Sequence, residues 1–223
     1  MGGIGKDRGA GSRRFAMRIG GTCCLLTALF GLYFFLPAAT SGNESPSGLS
    51  REAADAAAEK LQQVRDGSLS GDPPGQVRIS EAEANSYLHY RLAPQFPAGL
   101  SNVRLEFLPN RPQGSAEVDF DQLRKALRRT PNPLADFLLQ GVHTLGVEGT
   151  FSSSDGIGKF HLETVILDGV VLPPAMVDFL IESYLKARYP NAVIDQPFTL
   201  PYSLEKITFE KGSCLLVGKP AGS

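Results

Sequence analysis

Hydrolytic chemistry needs a group that can move a proton, and this chain of 223 residues carries only three histidines, His89, His143 and His161. If the two alternating runs on either side of Asp155-Gly156 pair as a hairpin, His143 falls opposite Asp168, a possible acid/base pair. The same register brings no Ser or Cys nucleophile and no further carboxylate to it, so the pair reads as a structural one. His161 lies on the polar face of that hairpin and is expected to be solvated. His89 sits in a predicted helix without a second ligand at i+4, and a metal site needs more N, S or O ligands than these spacings supply. Asp119 and Asp121 could hold a cation, but a strand end followed by a helix cap accounts for both. There is no Gly-rich phosphate loop. These residues predict no enzyme, no metal and no cofactor.

Charge is divided unevenly. Lys6, Arg8, Arg13, Arg14 and Arg18 against Asp7 give residues 1–18 a net of +4, which leaves −5 on the remainder of a chain whose total is −1. A body of that sign is a poor partner for nucleic acid, whose phosphates call for a basic face. The local exception is Arg124, Lys125, Arg128 and Arg129. A helix dipole explains this cluster, with anionic lipid headgroups as the functional alternative.

Residues 19–36 carry no charge and are rich in Leu and Phe. As a helix they would reach roughly 27 Å, close to the thickness of a bilayer core. Basic residues flank the N-terminal side, which predicts a cytoplasmic tail at 1–18, a transmembrane helix or signal segment at 19–36, and everything later on the extracytoplasmic, periplasmic side. A cleaved signal peptide competes, because Ala38, Ala39 and Ser41 follow, but the apolar run exceeds the usual signal core. Cys23 and Cys24 fall inside this run, so Cys214 is the only thiol beyond it and no disulfide can hold the exported part.

Residues 37–75 form a spacer with an Ala-rich helix over Arg51 to Arg65, which has only Leu61 and Val64 to bury and is expected to dock lightly. The break at Asp72-Pro73-Pro74-Gly75 opens an α+β domain over 76–223. Val77 and Ile79 suggest a short strand, and Ser80-Glu81-Ala82-Glu83 is a capping box that starts a helix. Val103, Leu105 and Phe107 alternate in one run and Ala116, Val118 and Phe120 alternate back after an irregular turn, which predicts a hairpin with one apolar face. Asp121 is the expected cap of a helix over Gln122 to Arg129, and a short helix is placed at Leu134 to Leu139.

The central hairpin pairs Phe151 with Phe160, Gly149 with Leu162, Val147 with Thr164 and Leu145 with Ile166. Its other face carries Thr150 with His161 and Glu148 with Glu163. Pro173-Pro174 then starts a helix that buries Val177, Leu180, Ile181, Tyr184 and Leu185. A last hairpin across Lys211-Gly212 sets Phe209 against Cys214 and Ile207 against Leu216. The predicted fold is therefore α+β: an antiparallel sheet of about six strands in hairpins, packed on or wrapped around a long helix in the C-terminal half, plus an N-terminal transmembrane helix.

The stretches Ile79 to Leu88 (ISEAEANSYL), Leu167 to Pro173 (LDGVVLP) and Ile207 to Gly212 (ITFEKG) resemble those of small bacterial envelope proteins with an N-terminal membrane segment and a tubular lipid-binding-like domain. The resemblance covers roughly residues 76–220 and implies a groove, since the chain is shorter than the two-barrel members. It implies a non-enzymatic, membrane-anchored protein that binds a lipid or other apolar envelope molecule between sheet and helix. Val103, Leu105 and Phe107 would line that groove, with Leu145, Val147 and Phe151 from the next strand. Phe160, Leu162 and Ile166, then Leu180, Tyr184 and Phe209, would complete it. The alternative is an envelope assembly protein with a closed core that recruits another protein through a sheet edge or the Phe179 face.

Overall fold

The computed structural model describes residues 48–69, 71, 73–127, 139–188, 194–202 and 204–219. The basic tail, the apolar run Ile19 to Leu36 and all but Leu139 of the helix expected at Leu134 to Leu139 lie outside them. No helix among the described residues is long and apolar enough to cross a membrane.

Helix α1 (Arg51–Asp66) is built on alanines and capped at both ends. Ser50 accepts from the Ala53 N–H at 3.0 Å, and Gly67 ends the helix at φ 68°, a conformation that glycine adopts freely. The helix docks more closely than its two large apolar residues require. Ala54 and Ala57 are fully buried, because side chains this small let the helix backbone approach its neighbours.

Strand β1 (Gln76–Ser80) leads directly into α2 (Glu81–Tyr87), which continues as a wider turn over Leu88–Leu92. The capping box forms: Ser80 Oγ accepts from the Glu83 N–H at 3.2 Å, and the Glu83 carboxylate accepts from the Ser80 N–H at 2.8 Å. Burial alone would raise the Glu83 carboxyl, but the Lys60 ammonium at 2.6 Å and the bonds from Ser80 outweigh it and hold the group below the usual carboxylate range. The same ion pair ties α1 to α2.

The remaining strands are β2 (Leu100–Leu108), β3 (Arg111–Asp119), β4 (Val142–Ser154), β5 (Ile157–Leu167), β6 (Val170–Val171), β7 (Pro197–Thr199), β8 (Leu204–Glu210) and β9 (Ser213–Gly218). Among the described residues they form two antiparallel sheets. One runs β2-β3-β4-β5-β6 with β7 added along β5, and the other runs β1-β9-β8. Strand β8 crosses the tips of both long hairpins. The Asn110 N–H donates to the Phe209 carbonyl at 3.0 Å and the Gly156 N–H to the Glu205 carbonyl at 2.8 Å. Ser153 Oγ both donates to the Ile207 carbonyl and accepts from its N–H.

The expectation of about six strands wrapped around a long helix is overturned: the molecule is dominated by its sheets. After Pro173, helix α3 (Pro174–Leu180) has regular α-helical bonding, the chain then widens over Ile181–Leu185, and one last α-helical turn follows at Lys186–Arg188. Of the five residues expected to be buried there, only Tyr184 is. It packs at one end of the long sheet on Val118, Phe120 and Leu139, with Leu145, Leu167 and Leu180 partly buried around it. A helix this short covers one cluster. The larger apolar surface, which includes Leu105, Phe107, Phe151 and Phe209, is closed by α1, α2 and the second sheet instead.

Two local expectations also change. The short helix after β3 spans Phe120–Ala126, and Asp119 caps it by accepting from the Gln122 N–H at 2.9 Å. Asp121, the expected cap, accepts from the Gly141 N–H at 3.0 Å and pairs with Arg124. In the central hairpin the pairs Phe151/Phe160, Thr150/His161 and Gly149/Leu162 form across the Asp155-Gly156 turn. Then Glu148 meets Thr164, so Glu163 is an extra residue in β5 and every later pair slips by one. Val147 faces Val165 rather than Thr164, and Leu145 faces Leu167 rather than Ile166. The bulge brings Val165 and Leu167 inward and turns Ile166 to the opposite face.

Candidate functional site

The residues that could do acid/base chemistry do come together. The His143 ring has Nδ1 2.6 Å from Asp168 Oδ2 and Nε2 2.8 Å from the Gln140 carbonyl oxygen, with the edge of the Phe120 ring nearby. Asp168 also accepts from the Thr144 N–H at 2.8 Å. Its hydrogen bond to Asp168 raises the His143 pKa against the opposing effect of burial, and the reciprocal bond lowers that of Asp168. Both ring nitrogens are thus engaged, one by Asp168 in the β5–β6 turn and the other by the backbone just before β4. His161 is not merely solvated: it contacts Asp195 at 2.5 Å, a bond that ties the segment before β7 to β5. Among the described residues no cluster of three or more His, Cys, Asp or Glu side chains is placed to hold a metal ion.

One feature with room for a ligand is apolar. A cavity of about 90 Å³ lies between the two sheets, under the C-terminal half of α1 and beside Ala84 and Tyr87 of α2. One water needs roughly 10–15 Å³ of such space, so the void is several waters large. Its walls give water few polar partners. Leu105 and Phe107 come from β2, Phe151 from β4, Phe198 from β7, Ile207 and Phe209 from β8, Leu216 from β9, and Leu61 and Val64 from α1. The Phe209 ring centroid stands 5.3 Å from those of both Phe107 and Phe151, and these three rings form one wall. A small second void of about 10 Å³ continues past Leu61 and Tyr87 toward Leu92.

Cys214 belongs to this lining. Burial pushes its thiol up to about 12, and the nearby Arg78 guanidinium lowers it only slightly. A thiol kept neutral in this way is a poor nucleophile and serves as part of an apolar wall.

Polar groups gather at the edge where α1 ends. Arg65, in the last turn of α1, is half-buried and lines the cavity, and Tyr202, 45% exposed, lines it from the β7–β8 connection. Arg65 donates to the Gln62 side-chain oxygen. Tyr202 has φ 55°, a left-handed conformation that a bulky residue rarely adopts.

Of the twelve residues predicted to line a groove, Leu105, Phe107, Phe151 and Phe209 line this cavity. Val103, Val147, Phe160 and Leu162 pack in the same core without reaching it, whereas Leu145, Leu180 and Tyr184 belong to the separate cluster around Phe120. Ile166 belongs to neither cluster, as the bulge requires. Sequence reasoning missed the contribution of α1, β1 and the Pro201-Tyr202 turn. For α1 the signal was the spacing of small residues, Ala54 and Ala57, on the face that also carries Leu61 and Val64.

No protein-family model matches the chain, and no curated protein matches it.

Proposed function

We propose that this chain is a non-enzymatic, membrane-tethered protein of the cell envelope whose extracytoplasmic domain holds an apolar molecule between its two sheets. The observation that carries the reading is the cavity walled by Phe107, Phe151, Phe209 and Leu216. Apolar voids stay dry, so water does not compete for the space, and each methylene buried there contributes about 0.8 kcal/mol. The uncharged run at residues 19–36 with basic residues before it supports the tether and its direction.

A second reading, recruitment of another envelope protein, is favoured by one observation. Val170 and Val171 in the two-residue edge strand β6 are 65% and 63% exposed, and a sheet edge can accept a further strand. Phe179 does not serve it, being half-buried against Tyr184.

Native mass spectrometry of the full chain, purified from membranes in amphipol, tests the first reading. One equivalent of a lipid or other amphiphile should travel with the protein and be lost when Leu216→Phe narrows the cavity. A protein that carries no bound molecule and pulls down one stoichiometric protein partner supports the second reading.

A further inference from the structure

We propose that the groove along the seam between β4 and β8 binds a phosphate monoester, with the phosphate held between Lys159 and Lys206. This groove lies outside the apolar cavity, since Phe151 and Ile207 line both, and it does not depend on what that cavity holds.

The seam follows from the pairing of the strands. The pairing of β4 with β3 stops at Glu148, and beyond it β8 lies against β4: Ser153 Oγ donates to the Ile207 carbonyl at 2.7 Å and accepts from its N–H at 2.8 Å. Phe151 and Ile207 belong to the core, so the alternation along each strand turns Ser152 of β4 and both Lys206 and Thr208 of β8 outward. Lys159 pairs with Ser152 across the central hairpin and shares its outer face, and His161 follows two residues later on the same face. The two outer faces leave between them an open groove of about 720 Å³, within the usual size of small-molecule sites.

The charge in this groove has one sign. Lys159 and Lys206 are exposed and come from different sheets, and among the described residues neither ammonium meets a carboxylate, whereas Lys60, Arg78 and Arg111 each do. No Asp or Glu among the described residues lines the groove. The chain beyond residue 18 carries a net charge of −5, yet here two cations face one hollow without a counter-ion. An anion placed between them gains from both.

The polar groups beside the lysines are a second, independent observation. Among the described residues the Asn110 side-chain amide and the hydroxyls of Ser152 and Thr208 make no hydrogen bond within the protein, and all three line the groove. The His161 ring is fixed through Nδ1 to Asp195 at 2.5 Å, and Nε2 is the nitrogen left for a ligand. A phosphate monoester carries a charge of about −1.5 to −2 at neutral pH and three acceptor oxygens, which two ammonium groups and a hydroxyl or amide can meet together. A carboxylate brings one charge and two oxygens and would leave half of these groups unmet.

Isothermal titration calorimetry of the full-length protein in phosphatidylcholine nanodiscs, with glucose 6-phosphate and with glucose, tests this. Glucose 6-phosphate should bind saturably and glucose should not. Lys159→Gln and Lys206→Gln should each weaken that binding about tenfold, the scale of one charge-assisted contact, with Tm unchanged because both side chains are exposed. Lys125→Gln, an exposed lysine outside the groove, should leave it within about twofold. Co-flotation with phosphatidylcholine vesicles that contain phosphatidic acid separates the two sources of the phosphate. Capture of those vesicles that both groove variants abolish assigns it to a lipid headgroup, and glucose 6-phosphate binding without capture assigns it to a soluble ester. Binding that survives in both groove variants, that falls equally in Lys125→Gln, or that glucose shows as well overturns the site, as does the absence of both glucose 6-phosphate binding and vesicle capture.

Discussion

His143 Nδ1 lies 2.6 Å from Asp168 Oδ2, and its Nε2 lies 2.8 Å from the Gln140 carbonyl oxygen. A carbonyl oxygen can only accept, and an ionised carboxylate can only accept, so the arrangement calls for the imidazolium form. The ring is a cationic clamp at the end of the long sheet, with its side chain only 18% exposed. Nitrogen-15 NMR should show both ring nitrogens still protonated where a free imidazole, with a pKa of about 6.5, is already losing its proton.

The pH dependence follows from the two shifts. The His143 pKa is raised, so its contribution is fully present below the unfolded value of about 6.5 and is lost as pH rises through the folded value. The Asp168 pKa is lowered, so its contribution is present above about 3.9 and is lost as pH falls through the folded value. The thermal destabilisation caused by His143→Ala should therefore be largest between about pH 4 and 6.5 and smaller at about pH 9. A pH-independent loss in Tm would contradict the clamp.

Gly149 is required by a close approach. A Cβ there would stand 2.3 Å from the His161 carbonyl oxygen and 2.5 Å from Phe160 Cζ. Backbone on one side and a buried ring on the other leave neither neighbour free to move. Gly149→Ala should cost about 1–3 kcal/mol in urea unfolding, the usual range for overpacking. Gly212→Ala is a different case: nothing lies within 4 Å, and only its φ of 73° opposes the change.

Ser80 and Glu83 fix the start of α2, and with it one wall of the cavity. Ser80→Ala should lower stability by about 1 kcal/mol through loss of the cap. It also removes the Ser80 side-chain contribution that helps keep Glu83 ionised, while the Ser80 backbone N–H and the Lys60 ammonium still hold the carboxylate. The Glu83 pKa is depressed, so its stabilisation is present above the unfolded value of about 4.3 and disappears as pH falls through the folded value. The midpoint of acid unfolding should move to higher pH in Ser80→Ala.

Two changes to the cavity wall should behave in opposite ways. Phe209→Ala removes the ring shared by the Phe107 and Phe151 contacts and should cost about 3–5 kcal/mol in chemical denaturation. Leu216→Phe adds volume where space already exists, so its stability should stay within about 1 kcal/mol of the native protein, measured in the same way. A loss of several kcal/mol in Leu216→Phe would mean that the wall has no slack.

What was legible in the sequence was local. Asp155-Gly156 specifies a turn with positive φ at both positions, and the Phe151/Phe160 pair follows from it by counting. The last hairpin forms in its expected register, Phe209 against Cys214 and Ile207 against Leu216. The capping box at Ser80 is likewise a matter of neighbours three residues apart. The Glu163 bulge has no such signature, because an extra residue is tolerated wherever the opposite strand and its packing allow it. Nor does an apolar stripe name its partner. The helix after Pro173 was a reasonable cover for the sheet, yet α1 and the β1-β9-β8 sheet take that place through contacts far apart in the chain. The mouth of the cavity depends on Tyr202, whose turn contains no glycine to announce it.

The central claim is that an apolar molecule enters between the sheets, and methyl NMR of the full-length protein titrated with 1-dodecanol tests it most directly. The account predicts saturable shifts, and contacts with the alkyl chain, at the methyl groups of Ile207 and Leu216 in the cavity wall. Those of Leu123 and Leu145, in the cluster around Phe120, should stay unmoved. No saturable shift at Ile207 and Leu216, or shifts confined to the exposed Val170 and Val171, would contradict it.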